Sequence, residues 1–108
     1  MNTSDSLIAF AAAVGAAVAR TDERGRYGTR KVFVSAIWSA LDMAHRRRLT
    51  ADTFKARLLE AHRAQLLCLA RADLVAAMSP GMVAASEIDA HGATFHFVVD
   101  DRAGEAWA

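Results

Sequence analysis

Two amphipathic segments joined by a run of arginines constrain this chain more than any other feature. Within residues 34–66, apolar side chains return at helical spacing twice, and the basic corner Arg46-Arg47-Arg48-Leu49-Thr50 separates the two runs. On the first run Val34, Ile37, Trp38, Leu41 and Ala44 fall on one side of a helix. Its terminal arginines suit the negative end of the helix dipole. On the second, Phe54, Leu58, Ala61 and Gln65 share a face widened by Leu59 and Leu66, while Asp52, Thr53, Ala56, Glu60 and Arg63 lie opposite. Its start is well signalled: Thr50 is a good N-cap, Asp52 complements the dipole, and Leu49 with Phe54 has hydrophobic-staple spacing.

A chain of 108 residues, 54% hydrophobic, is long enough for one packed core and too short for two. Residues 1–108 therefore read as a single domain, with about 100–108 expected to fray as a flexible tail. Cys68 is the sole cysteine and has no internal disulfide partner, which fits a reducing compartment. The longest apolar run, residues 7–19, is too short to cross a hydrocarbon core of ~30 Å. Asp5 precedes that run and its first cation is Arg20, so it does not read as a signal peptide either. A cytoplasmic location without membrane contact is expected.

Net charge is only +1, but it is unevenly spread. Arg20, Arg24, Arg26, Arg30, Lys31, Arg46, Arg47 and Arg48 crowd the first half. Past Arg71, Asp73, Glu87, Asp89, Asp100, Asp101 and Glu105 face Arg102 alone. A basic face and an acidic edge follow, which is a weaker nucleic-acid signal than a uniformly basic domain.

The first helix is expected to start at a cap among Thr3, Ser4 and Asp5 and to carry the stripe Leu7, Phe10, Ala11, Val14 and Val18. Leu7, Phe10, Val14 and Val18 can cover the domain's own core or form the seam of a homodimer. Arg24-Gly25-Arg26-Tyr27-Gly28 reads as a connecting loop, then Val32-Phe33-Val34 as a short strand, with Ser35 or a slightly earlier residue capping the next helix. Leu67-Cys68-Leu69-Ala70 reads as a strand leaving the third helix. A helical turn is expected over residues 73–78, and Ser79-Pro80 starts another helix. Glu87-Ile88-Asp89, the turn Ala90-His91-Gly92 and residues 93–99 read as a hairpin. In its last strand Phe95, Phe97 and Val99 should face one way, and Thr94, His96 and Val98 the other.

The order helix, short strand, helix, helix, strand, wing, strand resembles the winged helix-turn-helix superfamily over roughly residues 7–99. The segments Leu59-Leu-Glu-Ala-His-Arg-Ala-Gln-Leu-Leu67 and Arg71-Ala-Asp-Leu74, with Ala93-Thr-Phe-His-Phe97, are also similar to small bacterial proteins of unassigned role. The resemblance implies an α+β winged helix: a three-helix core, a short strand and a C-terminal β-hairpin wing. It departs from the pattern in a long insertion, residues 71–93, between the wing strands.

The resemblance also implies that the third helix enters the major groove of double-stranded DNA, presenting Thr53, Ala56, Glu60 and Arg63. Lys55 and Arg57 flank that face, and Arg46, Arg47 and Arg48, with the Thr50 hydroxyl, would meet the phosphates. Arg26, Arg30 and Lys31 form a second basic element. A small bacterial transcription regulator, a possible homodimer, is the leading expectation. The alternative is a docking module for a protein partner in a larger complex, favoured by the near-neutral charge and the acidic second half. No enzyme, cofactor or metal is expected. His45, His62, His91, His96 and Cys68 show no ligand or dyad spacing, Cys68 reads as a small buried hydrophobe, and His96 as a surface or packing histidine.

Overall fold

The computed structural model describes residues 3–28, 30–72 and 78–100, with side chains from residue 7 onward. It is a mixed α+β fold in which a small antiparallel sheet lies between helices. Helix α1 (Thr3–Arg20) leads through a 3₁₀ turn (Glu23–Gly25) into strand β1 (Arg26–Tyr27). Strand β2 (Lys31–Phe33) passes directly into α2 (Val34–Ala40), followed by α3 (Met43–Arg46) and α4 (Ala51–Arg63). Then come β3 (Leu69–Ala70), α5 (Pro80–Ser86), β4 (Ile88–Ala90), β5 (Ala93–Phe95) and β6 (Phe97–Val99). The main sheet has the order β1-β2-β6-β3, and β4 and β5 pair separately. The expected N-cap side chains of the first helix and most of the expected turn over 73–78 lie outside the described residues.

One face of the sheet carries the larger core. Leu7, Phe10, Val14 and Val18 from α1, Ile37 and Leu41 from the α2 region, and Phe54 and Leu58 from α4 pack there against Val32, Leu69 and Val98. Phe54 anchors it: its ring meets Phe10 edge-on at 5.8 Å and Trp38 at 5.1 Å. The other face holds Phe33, Phe97, Met78 and Val83, so α5 covers it. Both faces of the central strands are therefore buried.

Four expectations change here. The helix carrying Trp38 does not run on to Ala44: it ends at Ala40, Leu41 turns extended into the core, and Asp42 restarts the chain as the N-cap of α3. Aspartate does this because its carboxylate offers a nearby N–H an acceptor that competes with the helix. Helix α4 ends at Arg63, so Gln65 leaves the apolar face, exposed and in the left-handed region at φ 62°. The last strand breaks at His96, which puts Phe95 with the α4 side and Phe97 with the α5 side rather than on one face. The stretch around Arg24 to Gly28 is a 3₁₀ turn and an edge strand, not a plain loop.

The start of α2 has no capping side chain of its own. Its Val34 N–H donates to the His96 carbonyl at 3.1 Å and its Ser35 N–H to Oγ of the buried Ser86 at 3.0 Å. Tertiary neighbours thus satisfy amides that a local cap would otherwise serve. The 3₁₀ turn is pressed equally hard against α2, because a Cβ on Gly25 would lie 2.6 Å from that of Ala36 and 2.4 Å from Thr21 Cγ2. Gly25→Ala should therefore destabilise the fold by about 1–3 kcal/mol, read as a lower midpoint in urea unfolding.

Candidate nucleic-acid interface

Helix α4 presents the face expected of it. Thr53, Ala56, Glu60 and Arg63 are exposed, and Phe54, Leu58 and Ala61 are buried. Thr50 caps the helix in a full capping box: the Thr53 N–H donates to Thr50 Oγ1 at 3.1 Å, and the Thr50 N–H donates to Thr53 Oγ1 at 2.7 Å. Both hydroxyls are thereby held at the helix end and directed at each other. They stiffen the N-terminus more than they reach outward.

The arginine corner is built on the restarted helix α3. Asp42 accepts from the His45 backbone N–H and, at 2.8 Å, from its Nδ1. The bond from the His45 ring holds the Asp42 carboxyl below the usual carboxylate range, with the imidazolium charge and the backbone N–H adding to it and partial desolvation opposing it. Arg46 stacks over Trp38 at 5.3 Å, which ties the corner to the core. Arg47 and Arg48 are exposed and have no side-chain partner among the described residues.

The remaining cations divide. Arg57 lies over the Phe10 ring at 5.4 Å and reaches Glu60 at 3.4 Å, so it braces α4 against α1. Lys55 is half-buried on the flank of α4. Arg30 is exposed, and its carbonyl accepts the Asp100 N–H. Lys31 lies over the Phe97 ring at 5.7 Å, on the sheet face opposite α4. Neither Arg30 nor Lys31 is brought to the corner.

Arg26 has a different job from the expected phosphate contact. Its guanidinium donates to the Val18 carbonyl at 2.8 Å, the Thr21 carbonyl at 3.0 Å and Asp100 Oδ2 at 2.9 Å. It closes the C-terminal end of α1, where carbonyls lack helical partners, onto the end of β6. Asp100, expected at the start of a frayed tail, is buried; residues 101–108 lie outside the described ones. Leu7, Phe10, Val14 and Val18 are all buried in the chain's own core, the first of the two uses expected of them.

Cys68 is exposed, not a small buried hydrophobe, and shares a shallow depression with His62. His96 is a packing histidine, buried between β5 and β6. Among the described residues no cluster of metal-ligating side chains forms, and no helix is long and apolar enough to cross a membrane. The sequence reading missed the Asp42–His45 pair, although their three-residue spacing is the signal of an aspartate N-cap. Comparison with family models, curated proteins and solved structures finds no match to this chain.

Two measurements check these assignments. Arg26→Ala should cost about 1.5–3 kcal/mol of stability by removing charged hydrogen bonds from the end of α1 and from Asp100, whereas Arg47→Ala should leave the unfolding midpoint in place. In an NMR titration the Asp42 carboxyl should protonate below an ordinary aspartate, and His45→Ala should return it upward. Because the folded state holds that carboxyl low, its contribution to α3 is present at neutral pH and fades as pH falls through its own titration.

Proposed function

We propose that this chain is a small winged-helix protein that binds double-stranded DNA, with Arg47 and Arg48 on the phosphates and the outer face of α4 along the groove. The observation that carries the reading is the corner itself: exposed arginines without side-chain partners among the described residues, set at the capped N-terminus of a helix whose polar face is open. The positive end of the helix dipole and the two guanidinium groups add at the same point in space. The winged-helix part of the reading is supported by the order of elements and by β6 lying between β2 and β3 in the sheet. The insertion between β3 and β6 takes the place of a simple wing: it contains α5 and the β4–β5 hairpin, which packs Ile88 and Phe95 on the core face that α4 shares. DNA contact therefore falls to α4 and the corner. The role is that of a binding protein, such as a small bacterial transcription regulator in the cytoplasm, and not of an enzyme.

A second reading, a docking module for another polypeptide, is favoured by one observation. The outward face of α4 mixes Asp52 and Glu60 with Arg63, and its threonine hydroxyls are engaged in the cap. Such a face suits a partner with charges of both signs better than a uniform phosphate backbone.

Duplex binding followed by fluorescence anisotropy across salt separates the two readings. Arg46 is best kept, since it covers Trp38. For the variant Arg47→Ala with Arg48→Ala, the slope of log affinity against log salt should flatten by about 1.8 units. The contribution of those two contacts should itself weaken about 12-fold between about 50 and about 200 mM salt. A duplex that fails to bind even at low salt hands the function to the docking reading.

A further inference from the structure

We propose that His62 and His96 form an acid-released double latch on the edge strand β3. The Leu69 N–H donates to His62 Nδ1 at 3.1 Å, and the Ala72 N–H donates to His96 Nδ1 at 3.3 Å. Both rings therefore act as acceptors toward backbone amides, one at the first residue of the short strand and one just beyond its end. A neutral imidazole that accepts at Nδ1 carries its proton on Nε2, and a doubly protonated ring has no lone pair left to accept with. Protonation and the latch bond thus exclude each other at each ring.

Backbone pairing with β6 holds only the inner side of this strand. It is two residues long and lies at the sheet edge. On the β6 side the His96 N–H donates to the Ala70 carbonyl and the Val99 N–H to the Cys68 carbonyl, both at 2.9 Å. On the outer side the Leu69 amide would be a bare donor without His62, the kind of edge group that must be covered or solvated. Leu69 is buried, so losing that acceptor strands a polar group in the core.

The surroundings offer a charged ring no anion among the described residues. Among the described residues, no aspartate or glutamate oxygen lies within ion-pair distance of either imidazole. His62 meets the Phe95 ring of β5 at 5.2 Å, and the titratable group lining its depression is the Cys68 thiol. On its own helix Glu60 and Arg63 are exposed, and on β4 the exposed Asp89 pairs with Thr94, on the strand face away from Phe95. Next to Ala72, Arg71 is exposed, and Lys31 engages the ring of Phe97 beside His96. Acid would therefore release the outer amide of the strand from α4 at His62 and the Ala72 amide from His96, while the β3–β6 and β2–β6 backbone ladders stay paired.

The whole chain, labelled with ¹⁵N, provides the test. Long-range proton–nitrogen spectra should show the Nε2–H tautomer in both neutral rings. As pH is lowered until the ring nitrogen signals report protonation, hydrogen exchange at Leu69 and Ala72, corrected for its intrinsic pH dependence, should lose at least about tenfold protection. The β2–β6 amides should keep theirs. His62→Asn and His96→Asn, whose Oδ1 can accept where Nδ1 did without titrating, should remove the pH dependence and retain protection. An Nδ1–H tautomer in either ring overturns the latch, even if the variants fail to fold. So does protection at Leu69 and Ala72 that survives protonation of the rings, or its loss together with every other strand.

Discussion

The Arg26 guanidinium binds the end of α1, the turn that follows it and the end of β6 at once. Few single side chains connect positions so far apart in sequence, and this one does so where both the carbonyls of a helix end and a buried carboxylate need donors. The 3₁₀ turn that fits closely on α2 lies between the helix end that Arg26 holds and strand β1, which Arg26 begins. The planar fork of arginine suits the task, since its donors point to several acceptors without rotating. Its position in the basic first half of the sequence disguises that structural role.

A second constraint shapes the outer surface. Because Leu41 turns inward and Asp42 begins a new helical turn, the arginines after it leave the direction of α2 and are set at the foot of α4. Had the helix continued, they would have extended along its axis. The stack of Arg46 on Trp38 then fixes one of them to the core and leaves its two neighbours to solvent. Local competition for a single N–H thus decides where the exposed positive charge sits.

What could be read from the residues follows from how local each cause is. The Thr50 cap, the Pro80 start and the apolar stripe of α1 depend on neighbours a few positions away, and the fold has them where those neighbours point. The same holds for the Gly92 turn, where His91 and Gly92 both adopt positive φ, as a two-residue hairpin of right-handed twist demands. The break at His96, the burial of Asp100 and the structural use of Arg26 depend on partners tens of residues distant, so spacing alone carried no sign of them. Cys68 was misread for the same reason: its leucine neighbours suggest burial, but the chain after Gln65 turns it outward. At the corner, the outward face of α4 was legible as amphipathicity. Which arginines were engaged was not, because stacking on Trp38 and bonding to Asp100 are tertiary events.

Covering the sheet on both sides has a consequence for how this chain can change over evolutionary time. In β6 the adjacent residues Phe97 and Val98 serve different layers, one stacked with Tyr27 and Phe33, the other set among aliphatic side chains. Gaining or losing one residue there would not merely turn a greasy side chain to water; it would exchange an aromatic plug for an aliphatic one in two sealed compartments simultaneously. Length variation should therefore gather in the excursion between β3 and β6, leaving the central strands invariant in length.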